Sequence, residues 1–370
     1  MKTSALTAPT PGGPRRRRPR RVRAALTATM AAMALGLSAC ANLGGLNLET
    51  VGQEDQTTYV KLALNQTEAH PSYIALEDFS ERFAERTDDR WVIDIYPNEQ
   101  LGSQQEVLQF VSSGAIEMAI VSGTQLENLN RDFQVLNMPT TFSDVEHQMA
   151  VVRDQELVGP LFESLAESNN VTVIGGFTQG SRSIYTADAP ITMPEDLAGQ
   201  KIRVQESDMH IRMIQLMGGS ATPLSYGEVY TAIQSGVLDG AENNEVSYVT
   251  QQHHEVAPYW SYTNHLVGLD YMIMRSDLRE AMSPADRTIF DEEWEAAMTE
   301  HTELWDIETR GSIARGEAAG ATFTEVDQEA FQEALAPIAE EFLRTDYQRD
   351  LYEAVRAAAA DHAAQEGENR

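Results

Sequence analysis

Two arginines and a group of amide side chains point to a site for a carboxylate. Arg182 and Arg203 both lie in apolar, strand-like stretches of the sequence, and Asn243 belongs to the run Glu242-Asn243-Asn244. A guanidinium group offers paired donors that match the two oxygens of a carboxylate, and it stays charged when it is buried. We therefore predict that Arg203 and Arg182 form a local positive pocket that binds an organic anion.

Each arginine also has a purely structural explanation. Arg203 could form an ion pair with a nearby acid such as Glu195 or Glu206, and Arg182 could be a surface residue at the edge of a loop. The exposure of the two guanidinium groups and the partners they find in the fold distinguish these explanations.

Strands that alternate with helices are expected to position these side chains. Apolar runs predict strands at residues 59–64, 91–96, 118–121, 171–174 and 201–204. Three helices are predicted as well: one that starts at His70-Pro71, one at residues 104–113 and one at residues 226–235. This alternation indicates an α/β fold. Arg203 would lie at the end of its strand, and ligands of open α/β sheets bind outside the carboxyl ends of the strands.

Helix caps mark two further elements. Thr192 and Glu195 are spaced as a capping box for a one-turn helix that Gly199 ends. Ser283 followed by Pro284 predicts the start of a long helix that runs to about residue 314, and two more helices are predicted at 331–343 and 347–360.

The N-terminus predicts an exported lipoprotein. Seven arginines between Arg15 and Arg23 precede an apolar run at residues 24–37, which is too short to span a bilayer because a spanning helix needs roughly 20 residues. Leu37-Ser38-Ala39-Cys40 resembles a bacterial lipobox, so residues 1–40 are expected to be a lipoprotein signal and Cys40 to be lipidated. The alternative is an ordinary signal cleaved near Ala39. Residues 41–56 are expected to form a flexible tether to the outer face of the membrane.

The charge of the chain excludes one class of partner. The formal net charge of the 370 residues is −30, and it falls to about −38 when residues 1–39 are removed, because they hold Lys2, seven arginines and no acid. Because such an acidic surface repels phosphate groups, nucleic acid is not expected as a partner. Cys40 is the only cysteine, so disulfides are excluded.

Four motifs between Phe177 and Ser276 carry a family resemblance. They are Gly180-Ser181-Arg182, Lys201-Ile202-Arg203-Val204, Tyr226-Gly227-Glu228 and Glu242-Asn243. Together they resemble the solute-binding proteins of the tripartite ATP-independent periplasmic (TRAP) transporters, and the resemblance extends from Tyr59 to about Tyr352.

This resemblance implies a two-lobed α/β fold like that of the type II periplasmic binding proteins, with a long helix spanning both lobes. Lobe I would comprise residues 57–179 and about 268–300, lobe II residues 180–267 and about 301–352, and residues 353–370 would be the end of a C-terminal helix and a frayed tail. The resemblance also implies a monomeric receptor that catalyses nothing, uses no cofactor and delivers its solute to membrane permease subunits.

The resemblance assigns roles to individual residues. It places Arg203 in a bidentate salt bridge with the ligand carboxylate, and Arg182 and the amide of Asn243 in further contacts. Less specific family positions are Asn65, Gln104, Ser122, Tyr226 and His70. A helix cap explains His70 equally well.

The class of acid is narrowed by sub-patterns. The segments 180–186, 218–220 and 225–228 are similar to the branch that binds hexuronates such as glucuronate and galacturonate. A uronate needs one charge clamp and many hydroxyl partners, which the named arginines, amides and Ser122 could supply. The branch commonly has Asn-Pro-Pro where this chain has Asn244-Glu245-Val246. The alternatives are another organic acid, such as a 2-oxo acid, a dicarboxylate or ectoine, and a sensor subunit.

An enzyme and a metal site have little support in the sequence. A surface lyase or hydrolase would need a positioned acid/base pair, and none is recognised. His253-His254 resembles a metal pair, but adjacent histidines on a helix point in different directions. No phosphate-binding loop or nucleophile elbow is present.

Overall fold

A computed structural model describes residues 57–368, with side chains described as far as residue 359. The predicted signal, the lipidated Cys40 and the tether at 41–56 lie outside the described residues. Within 57–368, no helix is both long enough and apolar enough to cross a membrane.

The described residues form one mixed sheet of nine strands, in the order β2-β1-β3-β8-β4-β7-β5-β6, with β9 pairing with β8. The strands are β1 (Thr58–Ala63), β2 (Trp91–Tyr96), β3 (Met118–Ser122), β4 (Val171–Thr186), β5 (Lys201–Val204), β6 (Ser220–Pro223), β7 (Gly240–Asn243), β8 (Tyr259–Arg275) and β9 (Thr322–Thr324).

Two long antiparallel strands, β4 and β8, join the two halves of this sheet. Residues 171–178 of β4 and 269–275 of β8 pair with each other on the side of β1, β2 and β3, whereas the opposite ends of both strands adjoin β7, β5, β6 and β9. The register of the pair shifts between Thr178 and Ser181 and again between Arg182 and Ile184. Bulges of this kind bend a strand, so the sheet changes direction where the two strands pass from one half to the other.

Fifteen α-helices cover the sheet in the described part of the chain. They are α1 (Pro71–Arg86), α2 (Gln104–Ser113), α3 (Gly123–Leu126), α4 (Gln134–Asn137), α5 (Val145–Arg153), α6 (Gln155–Glu163), α7 (Ala166–Asn169), α8 (Asp208–Leu216), α9 (Val229–Gln234), α10 (Glu245–Thr250), α11 (Ser276–Ala281), α12 (Pro284–Ala318), α13 (Gln328–Leu335), α14 (Ile338–Phe342) and α15 (Asp346–Glu368). Short 3-10 helices lie at Arg131–Phe133, Pro194–Leu197, Tyr226–Glu228 and His253–Glu255.

The long helix α12 reaches both halves of the sheet. Ser283 caps it by accepting a hydrogen bond from the backbone N–H of Asp286, as predicted. Phe290, near its start, packs edge-on against Phe79 of α1, and Gly316, near its end, lies against Phe323 of β9. The two-lobed α/β class and the long helix are therefore confirmed, although α12 ends at Ala318 rather than near residue 314.

Two local predictions are wrong. The one-turn helix at Pro194–Leu197 is not capped by Thr192 with Glu195; instead the carboxylate of Asp196 accepts hydrogen bonds from the backbone N–H groups of Thr192 and Met193. Asp is the shorter side chain and reaches back over this tight turn. The strand predicted at 171–174 extends to Thr186. The glycines at 175, 176 and 180 do not end this strand, because they lie in the crossing, the segment where β4 and β8 pass from one half of the sheet to the other.

Candidate functional site

Arg203 is a buried cation that forms no ion pair among the residues that the structure describes. It is the third residue of β5 and is 3% exposed, and its Nε donates to the backbone carbonyl of Leu224 at 2.8 Å. Its guanidinium carbon lies 5.8 Å from the ring centroid of Tyr226. Burial lowers the pKa of the guanidinium from its ordinary value. No ion pair within residues 57–368 joins Arg203 to Glu195 or Glu206, although Glu206 lines the same cavity as Arg203. The charges of Glu242 and Glu99 act on the guanidinium from nearby without pairing with it.

Arg182 is also buried, but its charge is neutralised. Its Nε and Nη2 donate to the two carboxylate oxygens of Glu242 at 2.6 and 2.7 Å, and its Nη1 donates to Oδ1 of Asn243 at 3.0 Å. Burial opposes the ionisation of Glu242, but the charge of Arg182 outweighs it and holds the pKa of Glu242 well below its usual range. Arg182 is therefore not a surface residue, and of the two predicted cations Arg203 alone forms no ion pair in the described chain, although Glu99 and Glu206 line the cavity beside it.

The amide of Asn243 connects Arg182 to Tyr226. Its Oδ1 accepts from Arg182 and from the backbone N–H of Asn244 at 2.9 Å, whereas its Nδ2 lies 3.5 Å from the hydroxyl of Tyr226. The same hydroxyl lies 3.4 Å from Oε1 of Gln66. Burial raises the pKa of Tyr226 to about 12, so the phenol remains a neutral donor at physiological pH.

The other half of the sheet contributes three predicted residues. The Oδ1 of Asn65, just beyond β1, is buried and accepts no hydrogen bond in the described chain. Oε1 of Gln104, the first residue of α2, accepts from the backbone N–H of Ser122 at 2.5 Å. The hydroxyl of Ser122 donates to Oε1 of Gln205 at 2.8 Å. The structure brings Gln104, Arg203 and Tyr226 around one small cavity.

His70 has a structural role. It is fully buried at the start of α1, where its Nδ1 accepts from the backbone N–H of Ser72 at 3.1 Å, and its Nε2 lies 3.4 Å from the hydroxyl of Ser247. Burial lowers its pKa to about 3, so the ring is neutral. Both nitrogens are occupied, so the cap accounts for the residue, and its contact with a ligand stays a prediction.

The histidine pair does not form a metal site with its neighbours. Nδ1 of His253 is 2.7 Å from the hydroxyl of Tyr185, which gives this buried ring a hydrogen-bond partner. In the part of the chain that the structure describes, no group of three or more His, Cys, Asp or Glu residues could hold a metal ion.

Glu99 lines the same cavity as Arg203 and was not predicted from the sequence. Its Oε2 accepts from the backbone N–H of Gly227 at 3.1 Å, whereas its Oε1 is buried without a partner in residues 57–368. Burial raises the pKa of this carboxylate. Its φ of 54° lies in the left-handed region that is unusual for a glutamate, and such conformations are common at ligand sites. Glu99 follows a parallel strand, β2. The rule that ligands bind outside the carboxyl ends of such strands, which led to Arg203, therefore also applies to Glu99.

The two halves of the sheet are in contact across this cavity. Besides the bonds from Ser122 to Gln205 and from Gly227 to Glu99, the hydroxyl of Ser207 donates to Oε2 of Glu127 at 2.8 Å. The space left between the halves is about 10 Å³, roughly what one water molecule needs. This conformation is closed, and a ligand larger than water can enter only if the halves move apart.

A two-lobed α/β fold with a closed cleft between its halves is the architecture of a periplasmic-type solute-binding protein. The profile described as "Bacterial extracellular solute-binding protein, family 7" matches residues 62–346. The chain belongs to this family.

Individual relatives agree with this assignment. A solute-binding protein of Chromohalobacter salexigens is 35% identical over 277 residues, which is 75% of this chain and 82% of the relative. A TRAP periplasmic solute-binding protein of Anaerococcus prevotii, solved with bound D-glucuronate, has a TM-score of 0.80 and 36% identity, covering 82% of this chain and 99% of that one. Another from Xanthobacter autotrophicus, solved with β-D-galacturonate, has a TM-score of 0.77 and 28% identity, covering 80% and 99%. The resemblance to TRAP solute-binding proteins is thus confirmed.

Proposed function

We propose that this protein is the extracytoplasmic receptor of a TRAP transporter and that it captures a hexuronate, such as D-glucuronate or D-galacturonate. The observation that carries the proposal is Arg203, a buried guanidinium in a cleft between two lobes, with no acid paired to it in the described chain. The uronates bound by the two related structures have one carboxylate and several hydroxyl groups. One unpaired cation surrounded by amide, hydroxyl and carboxylate acceptors suits that composition.

The mechanism follows from the position of these groups. The acid would bind between the open lobes, and closure would bury its carboxylate against Arg203, where the exclusion of water strengthens the charge-assisted hydrogen bonds. Glu99, Gln104 and Gln205 are placed to pair with the hydroxyl groups. The closed receptor would then release its solute to the permease. The site contains no arrangement that requires a chemical step, so we assign no enzymatic activity, metal or cofactor to it.

A ligand screen tests the proposal. The full chain is heated with about 1 mM of glucuronate, galacturonate, gluconate, succinate, a 2-oxo acid or ectoine. A ligand of micromolar affinity should raise the free energy of unfolding by roughly 4 kcal/mol, and each kcal/mol raises Tm by about 2–4 °C. A shift confined to the uronates supports the proposal. A Tm shift with another acid supports the receptor function but rejects the uronate as the ligand.

Substitution of Arg203 tests the residue that carries the charge. Arg203→Ala should weaken uronate binding by about 100-fold or more in calorimetry, since it removes the buried partner of the carboxylate. Arg203→Lys keeps the charge but loses the two-pronged geometry, so an intermediate affinity is expected. Affinity close to wild type in the folded alanine variant would remove Arg203 from the site.

We also propose that a lipid on Cys40 holds the receptor at the outer face of the cell membrane. The support is the Leu37-Ser38-Ala39-Cys40 sequence that follows the arginine-rich and apolar segments. Cys40→Ser should move the protein from the membrane fraction to the soluble fraction, and mass spectrometry should then find no acyl groups on the N-terminus. A wild-type protein that is soluble and unmodified would contradict the anchor.

A further inference from the structure

A second and much larger cavity lies away from the Arg203 site. Its volume is about 850 Å³, and its walls come from residues 140–147, from the crossing of β4 and β8, and from the helices α12, α13 and α15. Arg203, Gln104 and Tyr226 do not line it. It therefore is a separate space, and it does not depend on the function proposed above.

Glu245 is an unusual part of the wall of this cavity. It is the first residue of α10, it is 7% exposed, and its side chain lines the cavity. In the described part of the chain its carboxylate forms no ion pair and no hydrogen bond with another side chain, although its charge reaches Tyr262. A buried carboxylate that lacks a partner is costly, and native proteins seldom keep one without a use.

The local helix does not explain why a glutamate stands here. The N-terminus of a helix favours an acid, but α10 has only six residues and Asn244 already caps it through a bond to the N–H of Ser247 at 2.7 Å. Proline suits the first helical position as well and would bury no charge. The carboxylate of Glu245 is thus unnecessary for forming α10.

The remaining charged groups of the cavity favour a cation. Asp144, Glu146 and Asp306 add negative charge to that of Glu245, although Asp144 caps α5 and Asp306 pairs with Arg310. Arg356 is the one Arg or Lys of the described chain in this wall, and its guanidinium is held over the ring of Tyr352 at 5.4 Å. The net charge of the whole chain, −30, attracts cations to every cleft.

The apolar part of the wall indicates what the cation carries. Trp305, Phe331 and Leu266 line the cavity together with Phe142 and Leu335. Apolar surface binds the apolar groups that an organic cation carries. Since the residues described here include no set of three or more metal-ligating side chains, a metal ion suits the site less well.

We propose that this cavity is a second binding site and that it takes a small organic cation, an ammonium group on an apolar body, whose charge pairs with Glu245. The nitrogen lies against the carboxylate of Glu245, and the apolar body lies against Trp305 and Phe331.

Calorimetry with the full chain tests this proposal, with benzylammonium as the probe and benzyl alcohol as its neutral counterpart. The titrations are made at about pH 8.5, because burial raises the pKa of Glu245 to about 7 and the carboxylate is ionised above that pH. We expect benzylammonium to bind with one site and a Kd of about 1 mM or below, and benzyl alcohol to bind about tenfold more weakly. Equal binding of the two probes, or no binding of benzylammonium, overturns the proposal.

Variants identify the charge responsible. Glu245→Gln keeps the shape and should weaken benzylammonium about tenfold, whereas Glu81→Gln, which removes an exposed acid of α1, should leave it unchanged. Glu245→Pro, compatible with the first helical position, gives a second test if the glutamine variant is unstable. Wild-type affinity in a folded Glu245 variant rejects the site. D-glucuronate titrated into the same samples reports on the cleft separately, so failure at one site is distinguishable from failure at the other.

Discussion

Arg182 and Arg203 are the same residue type in neighbouring parts of the sheet, yet their partners give them different roles. Arg182 is neutralised by Glu242, so it stiffens the wall of the site and fixes Asn243 through a shared hydrogen bond. Arg203 forms no ion pair in the described chain, so we propose that its charge is available to a ligand. A buried ion pair such as Arg182–Glu242 contributes little net stability, but loss of one member leaves an uncompensated charge. We therefore expect the selectivity of the cleft to depend on Arg203 and on the hydrogen-bond acceptors opposite it.

Glu99 is expected to select hydroxyl-rich acids against diacids. Its buried Oε1 can accept a hydrogen bond from a ligand hydroxyl, but it repels a second carboxylate. Glu99→Gln should weaken D-galacturonate about tenfold and reduce its preference over galactarate, which has a carboxylate at both ends, by about tenfold or more. Competition calorimetry with the two acids measures this ratio.

Glu228→Gln provides the matched control for Glu99. Glu228 is an exposed acid in the neighbouring turn and accepts a short hydrogen bond from the hydroxyl of Ser225. Its substitution removes the same charge from the same region at a residue that does not itself line the cavity, although its partner Ser225 does. If both variants change the ratio of galacturonate to galactarate affinity equally, the change comes from the loss of any negative charge near the cleft, and Glu99 has no specific role.

At the scale of elements, the crossing of β4 and β8 depends on Gly180. Its φ is +58°, and a Cβ there would lie 2.4 Å from Nε1 of Trp305 on α12. Gly180→Ala should therefore lower the free energy of unfolding by about 2–4 kcal/mol through backbone strain and overpacking. Urea unfolding measures the loss.

Gly199→Ala separates the two causes. Gly199 also has a positive φ, +82°, but nothing lies within 4 Å of the position of its Cβ. This variant should show the backbone strain alone, about 1 kcal/mol. Equal losses in the two variants would mean that the contact between Gly180 and Trp305 places no constraint on the crossing.

Local elements could be predicted from the sequence better than the contacts between them. The strand at 201–204 and the helix at 104–113 were predicted within their observed bounds, because apolar periodicity and caps are local signals. The 16-residue length of β4 was not predicted, because glycines such as those in β4 usually end a strand. The pairing of Arg182 with Glu242 depends on β4 lying next to β7, which no local pattern encodes. Glu99 follows the carboxyl end of β2, so its position could have been predicted, but the left-handed turn that places it in the cavity wall is not visible in the sequence.

For the whole molecule, Glu127 couples the closed form to pH. It is 5% exposed, it accepts from Ser207 of the opposite half and from Asn137, and burial raises its pKa to about 7. An unfolded glutamate titrates near about 4.3. A folded pKa above the unfolded one gives stability that is present below about pH 4.3 and is lost as the pH rises through about 7.

Glu127→Gln removes this titration. Relative to the variant, the free energy of unfolding of the wild type should fall by about 2–4 kcal/mol between about pH 4.3 and pH 7.5. Urea unfolding at several pH values measures the difference, and Glu353→Gln, which changes an exposed acid of α15, should follow the wild type. Parallel curves for wild type and Glu127→Gln would show that the carboxylate is already ionised in the folded protein.

The path of the chain through β4 and β8 also constrains the order of folding. The first half of the sheet needs residues 269–275 of β8, which lie some two hundred residues beyond β1 along the chain. A nascent chain that ends before Tyr259 contains β3 and β4 but not the strand between them, so each keeps an open edge. Such long-range pairing makes folding slow. Neither lobe can therefore be completed before synthesis has passed Arg275, so most of the polypeptide must be present before either half of the receptor is native.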